Sequence, residues 1–344
     1  MTEKKAFYSL AGYLAGALVL VALAVFLVDP FYHYHDAWFG MPVVLENAVY
    51  QTPGAARNLE YDSVIVGTSM TENFHASWFD EAMGWKTLKL SYSGARTDDL
   101  KAILGQIYSN REAPENILMD VNAYQLTVDP KTAYAIRPEY LYDDKIVTDT
   151  SYLYNQDVLL ASVNRVLDGL HGRESNLDEA YTWEDEVYFG KDQALETERK
   201  TRGGMAYEPI SLEVCDQNID NILPFIEAHP ETTFYIFYPP YSMLYWEREM
   251  IGGSWEEMLF LYKHSIERFL EYENVKVYYF QDEKEIISNL DNYRDATHHR
   301  PEYNKYICEC IAAGKNLLTK ENYEDRILGM YEYVQKFDYE VLWK

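Results

Sequence analysis

Basic side chains are scarce in this chain. Its 344 residues carry 30 Lys and Arg against 56 Asp and Glu, a formal net charge of −26. A surface of that sign repels a polyanion, which argues against nucleic acid as a partner. A polyanionic wall polymer meets the same repulsion wherever no local basic patch offsets it. Cysteine is sparse as well: Cys215, Cys308 and Cys310 are the only three. Cys308 and Cys310 stand two apart in a helical pattern, on different faces, so they do not bridge. An odd count without Cys-x-x-Cys or Cys/His spacing excludes a disulfide framework and a zinc module. The three read as buried small hydrophobes. Internal repeats and low-complexity tracts are absent, and so are long apolar runs, with one exception.

The exception is Ala6–Val28, AFYSLAGYLAGALVLVALAVFLV, which holds no charged residue. It is long enough to cross a hydrocarbon core as one helix. Lys4 and Lys5 precede it and Asp29-Pro30 ends it. The positive-inside rule puts residues 1–5 in the cytoplasm and everything after Asp29 outside it. Ala22-Leu23-Ala24 could suit cleavage of a signal peptide. The apolar run continues through Val28, however, which favours an uncleaved, single-pass anchor with the C-terminal domain outside the cytoplasm. A membrane-proximal segment, 29–61, follows. Its DPFYHYHDAWFG stretch suits an interfacial aromatic belt. His33 and His35 lie within it without a third ligand nearby and read as packing groups.

Beyond residue 61 the composition supports a sizeable core, since 48% of the chain is hydrophobic. Five short apolar runs read as buried parallel strands: Val64–Val66, Thr87–Leu90, Ile117–Asp120, Phe234–Tyr238 and Val275–Tyr279. Helical patterns at 97–110, 152–170, 213–228, 254–272 and 302–318 fall between or around them. Alternation of this kind predicts an α/β domain over 62–320, a three-layer α/β/α sandwich on a five-stranded parallel sheet. The third and fourth strands are too far apart for one crossover. The charged, aromatic stretch between them reads as an insertion or cap at 130–210, either a solvated excursion or a substrate cover. Residues 321–344 read as a C-terminal helical extension.

In such sheets ligands collect beyond the carboxyl ends of the strands. Gly67-Thr68-Ser69 sits there, directly after the first strand. The strand fixes the backbone, and the turn exposes the Ser69 hydroxyl. A serine becomes a nucleophile when a base takes its proton and a third group holds that base. NYRDATHHRPEYNK supplies both types. Asp295 and His298 stand three apart in a loop that Pro301 converts into a helix. Asp295 can accept from one ring nitrogen while the other faces Ser69. His299 is the alternative base, and helix capping by Asp295 or Thr297 is the purely structural alternative.

Gly-Thr-Ser after the first strand and Asp-x-x-His before the last helix together resemble the SGNH (GDSL-type) hydrolase superfamily. The likeness is greatest to its membrane-anchored extracytoplasmic branch, related to the D-alanine-transfer protein of lipoteichoic acid and to alginate-type O-acetyltransferases. It runs from about Asp62 to Gly314. The resemblance implies a flavodoxin-like sandwich with Ser69 as nucleophile, His298 as general base and Asp295 as its orienter. LSYSGAR, residues 90–96, resembles the second block, which makes Gly94 an oxyanion donor beside the Ser69 N–H. The third block normally reads Gly-x-Asn. Here it reads Asp120-Val121-Asn122, so Asn122 is the third candidate donor. In FYIFYPPYSMLYW, Tyr238, Tyr241 and Trp246 could wall a sugar or acyl group, with a rigid turn and buried aromatics as the alternative. Arg96 is a candidate anion contact.

The activity so implied is serine-dependent acyl transfer, O-acetylation first, on a cell-surface or secreted glycan at a bacterial cytoplasmic membrane. A multi-spanning membrane O-acyltransferase would supply the acyl group, and no cofactor or metal is required. A carbohydrate or lipid acetyl-esterase and a non-catalytic binding subunit of an acylation complex are the alternatives.

Overall fold

Short runs of β-branched and aromatic residues form the sheet. The computed structural model describes residues 3–109, 112–143, 145, 147–184, 187–201 and 210–344. Of the expected cap, residues 144, 146, 185–186 and 202–209 lie outside the described residues. Ser63–Val66 (β1), Thr87–Lys89 (β2), Asn116–Asp120 (β3), Thr233–Tyr238 (β4) and Val275–Tyr279 (β5) pair in parallel. A sixth strand, Leu317–Leu318 (β6), joins β5 antiparallel, giving the order β2-β1-β3-β4-β5-β6. The fold is therefore α/β on a mixed six-stranded sheet, and this corrects the five-stranded, all-parallel expectation. The added strand comes from the tail of the helix expected to reach 318. That helix stops at Ala312, because Gly314 (φ +64°) and Asn316 (φ +60°) turn the chain back in the left-handed region that these two residues tolerate.

The chain divides into two compact units, Met1–Leu59 with Ile136–Leu177, and Glu60–Ala135 with Asp178–Lys344. The first holds Glu3–Val28 (α1), Ala48–Asn58 (α2), Glu139–Tyr142 (α7), Thr150–Leu153 (α8) and Gln156–Leu170 (α9). Helix α1 is long and apolar enough to cross a membrane. Val25 in its last turn shares a small core with Phe31, Leu141, Tyr152 and Val158. Asp29 closes that turn. Its buried carboxylate accepts the backbone N–H groups of His33, Tyr34 and His35 and the Tyr152 hydroxyl. His33 lies between Arg57 and Asp149, and His35 stacks on Trp38 at 3.5 Å. Both histidines are thus engaged in packing.

The second unit holds the sheet. Around it lie Ser69–Glu72 (α3), Ala76–Met83 (α4), Thr97–Ser109 (α5), Ala123–Thr127 (α6), Lys191–Thr201 (α10), Leu212–Asp220 (α11) and Leu223–Ala228 (α12). Met243–Gly252 (α13), Trp255–Phe269 (α14), Lys284–Ile287 (α15), Pro301–Ala312 (α16), Tyr323–Lys336 (α17) and Glu340–Trp343 (α18) follow. The helix expected over 213–228 is two, because Pro224 has no N–H to continue the ladder and starts α12 instead. The pattern at 152–170 also divides, since the Asn155 side chain accepts from Asp157 N and Val158 N and caps α9. Strands β1, β3 and β4 are buried almost throughout. Ile65, Leu118 and Phe237 pack with Phe74, Phe79 and Ile307 into one core, where each buried side chain contributes about 1.5–3 kcal/mol. The chain leaves β1 for β2 on one side and returns to β3 on the other. The carboxyl ends of β1 and β3 therefore flank a topological switch point, where the sheet leaves a crevice.

Candidate active site

Ser69 opens α3 immediately after β1. Thr68 caps that turn, its hydroxyl accepting from Met70 N at 3.2 Å. The Ser69 Oγ lies 2.8 Å from His298 Nε2. His298 Nδ1 in turn lies 2.7 Å from Asp295 Oδ2. The other Asp295 oxygen accepts the backbone N–H groups of His298 and Thr297, each at 2.9 Å. Burial alone would raise Asp295. The His298 ring hydrogen bond, the His298 charge and these two N–H groups outweigh it and hold the carboxyl well below the usual range. The three side chains meet across 229 residues of sequence separation.

The loop carrying the histidine is fastened to the end of β4. Ser242 N and Oγ both donate to Ala296 O, at 3.1 and 2.8 Å. The Tyr293 hydroxyl donates to Pro240 O at 2.8 Å, and Gln281 Nε2 to Pro239 O at 2.6 Å. Pro240 O thus anchors the histidine loop, and Pro239 O anchors the chain that leaves β5. His299 faces inward, fully buried, and its ring nitrogens have no partner among the described residues. Burial first, then the His298 charge, push it down to about 3.

Two buried carboxylates set the neighbouring loops. Asp120 Oδ1 accepts Thr68 N at 2.8 Å, and its Oδ2 accepts Thr68 Oγ1 at 2.9 Å and Asn122 Nδ2 at 2.7 Å. Burial raises its pKa against the pull of those donors. Gly67 is required here, because a Cβ would collide with Asp120 Oδ1. Asn122 Oδ1 accepts from Gln125 N and caps α6, which fixes the amide from both ends. Glu72 accepts from Ser93 N and Oγ, at 2.6 and 2.7 Å, and so holds the loop of Gly94. The Lys89 ammonium donates to Glu72 O and Phe74 O, and burial pushes it down to about 7. Gly94 has φ +72°, and a Cβ there would stand 2.7 Å from the Tyr134 ring. Neither Ser69 N–H nor Gly94 N–H has a hydrogen-bond partner among the described residues.

Ser69, His298, Gly94, Asn122, Arg96 and Tyr241 all line one open cavity of about 980 Å³. Arg96 is already engaged there, through Nε to the Tyr124 hydroxyl at 3.0 Å and through Nη1 to Thr132 Oγ1. Tyr238 and Trp246 do not reach it, contrary to the expected aromatic wall. Both are fully buried. Tyr238 bonds Ser265 Oγ at 2.7 Å, and Trp246 packs on Tyr245 and Tyr262. Tyr245, Arg248 and Tyr124 line the cavity instead. Their signal was faint, since helix α13 was not legible as an element of its own. Trp183 was also missed: its ring meets His298 edge to face at 5.5 Å, under the Arg294 guanidinium.

Among the described residues, His75, Asp178 and Glu179 have ligand atoms close enough for a metal ion, all within 4.8 Å of one another. Asp178 Oδ1 already accepts Ser77 N, and His75 Nε2 faces Glu184 at 3.1 Å. No protein-family model matches the chain, and no curated protein is significantly similar to it in sequence. The chemistry is accordingly read from the site's own geometry. A hydroxyl, an imidazole and an ionised carboxylate stand in hydrogen-bonding sequence beside two backbone N–H groups without a partner among the described residues. Such an arrangement can move a proton off an oxygen and receive negative charge on a neighbouring one.

Proposed function

We propose that the second unit is a serine acyltransferase of SGNH type, built as an α/β/α sandwich, and that it acts on a glycan outside the cytoplasm. The observation that carries this reading is the Ser69–His298–Asp295 chain of hydrogen bonds, at 2.8 and 2.7 Å. His298 Nε2 takes the Ser69 proton as Oγ attacks an ester or thioester carbonyl. Asp295 keeps Nδ1 protonated and faces the imidazolium that forms. Charge builds on the carbonyl oxygen, where the Ser69 and Gly94 N–H groups are the available donors; the Asn122 amide, the third candidate, reaches it by giving up its weak 3.4 Å bond to Thr68 Oγ1. Collapse expels the leaving group, which takes the proton from His298, and leaves acyl-Ser69. A sugar hydroxyl, deprotonated by the same histidine, then takes the acyl group. Water in that place gives the esterase.

O-acetyl transfer is the favoured reaction, with α1 as a membrane anchor and a multi-spanning membrane protein as acyl source. The open cavity supports a bulky acceptor, and its aromatic lining of Tyr124, Tyr241 and Tyr245 suits sugar rings. The test is labelling with a serine-reactive fluorophosphonate and mapping of the adduct by mass spectrometry. An adduct on Ser69 that disappears in His298→Ala is expected. A folded protein that takes no adduct would sink the enzyme reading and favour a binding subunit.

A further inference from the structure

Helix α9 is built inside out. Its buried face carries Val158 together with Ser162 and Arg165. Its outer side carries Leu160, Val163, Val166, Leu167 and Leu170, between 40 and 76% exposed. Positions 160, 163, 167 and 170 fall on one stripe at helical spacing. Single exposed leucines are ordinary, whereas a continuous apolar stripe marks a surface that something covers. The polar groups on the inner face are engaged, apart from Arg165 Nε, which has no partner among the described residues. Arg165 Nη1 and Nη2 donate to Pro42 O and Val44 O at 2.9 and 2.8 Å, and Ser162 Oγ to Val158 O at 2.8 Å. This clasp fixes which face of α9 turns outward.

The position of α9 names the cover. It packs against α1, and its Val158 shares a core with Val25 in the last turn of α1. Helix α1 is bare from Phe7 to Leu20; partial burial begins at Val21, and Val25 is the buried residue, with Leu23 and Phe26 still exposed. The stripe therefore begins beside the end of the apolar span. Exposed aromatics stand at the same end: Trp38 lies 6.1 Å from Phe26 of α1, and Phe39 beside it is 77% exposed. Aromatics at that level suit a membrane–water boundary. With 15 residues, α9 is too short to cross a bilayer and long enough to lie in its surface.

We propose that α9 is an interfacial membrane helix, its Leu160–Leu170 stripe seated in lipid, giving the first unit a second membrane contact beside α1. The occupant is the bilayer rather than a protein, because the stripe carries no charge and stands on a helix packed against α1, which is long and apolar enough to cross a membrane. This rests on the reading of α1 as an anchor.

The three native cysteines are buried, so an added surface cysteine can be labelled selectively. The full chain carrying Leu167→Cys, labelled with the environment-sensitive dye NBD, would be reconstituted into phosphatidylcholine/phosphatidylglycerol vesicles. Val163→Cys repeats the reading one turn earlier, and Val19→Cys reports on α1. Expected is a several-fold rise in NBD emission with a blue shift, strong quenching by lipids brominated near the headgroup, and loss of quenching by aqueous iodide. A Leu167 probe open to iodide and untouched by bromolipid, beside a Val19 probe quenched by deeply brominated lipid, overturns the proposal and leaves the anchor standing. Silence of both probes toward lipid overturns both. A Leu167 probe shielded from iodide yet unquenched by lipid means a protein or a second copy covers the stripe, which also overturns it.

Discussion

Asn122 is tied to Asp120 at the end of β3, its Nδ2 donating to the carboxylate at 2.7 Å. The same carboxylate holds Thr68, the residue before the candidate nucleophile. The residue that departs from the expected Gly-x-Asn pattern thus couples two loops of the site. In Asp120→Asn the new amide keeps an acceptor at only one of the two positions, so its NH2 faces a donor either way, Thr68 N–H or Asn122 Nδ2. The expected result is a loss of about 1–3 kcal/mol of stability. Turnover should fall by about 10²-fold, the scale of one lost oxyanion donor. Urea denaturation and initial rates on p-nitrophenyl acetate check this. Unchanged rates would make Asp120 a purely structural group.

Asp295→Asn should leave the fold intact while inverting the hydrogen-bond preference at His298 Nδ1. On the proposed acyltransferase reading, the expected loss in fluorophosphonate labelling rate is about 10⁴-fold, the scale of a catalytic triad that loses its carboxylate. The wild-type Asp295 carboxyl is held well below its usual range, so it stays ionised across neutral and mildly acidic pH. An acid limb in the labelling profile near pH 4 would contradict that assignment.

The strand-end serine and the Asp295–His298 pair were legible because each lies in a short motif beside a clear element boundary. The five parallel strands of the sheet were legible as compact apolar runs. What could not be read were side-chain directions. Tyr238 and Trp246 look identical to Tyr241 in sequence, yet their rings point into the core while Tyr241 lines the cavity. The β6 reversal was hidden because Leu317-Leu318 continues the apolar pattern of α16, and only the positive φ angles of Gly314 and Asn316 break it. Trp183 sits in a charged stretch with no periodicity, so nothing local tied it to His298.

Gly67→Ala tests the closeness of β1 and β3 at the site. Its new methyl would meet Asp120 Oδ1 and stand 2.7 Å from Thr71 Oγ1. Overpacking of this kind costs about 1–3 kcal/mol, and here the displaced groups are those that set Ser69. Both the urea midpoint and the labelling rate should fall. A variant with wild-type labelling would show that the turn can open without moving the serine.

His299 makes acid stability a readout of the interior beside the site. Its imidazole is pushed down to about 3 by burial, against an ordinary value near 6.5. Below that ordinary value the unfolded chain binds a proton that the folded chain refuses. Stability from this group is therefore full above about pH 6.5 and falls as pH drops toward 3, by up to about 1.4 kcal/mol per pH unit. Asp120 and Glu72, whose pKa values are raised by burial, act in the opposite direction. The window of Asp295 lies lower, below about pH 4. Lys89, pushed down to about 7, acts only above neutrality. The wild-type curve is thus a sum of opposing parts, and the difference from His299→Phe isolates one of them. That variant also removes two ring nitrogens that have no partner among the described residues. Urea midpoints of the full chain in detergent at pH 7 and pH 5 should diverge, the variant gaining about 2 kcal/mol on the wild type over that interval. Parallel curves would mean that His299 takes up its proton in the folded state.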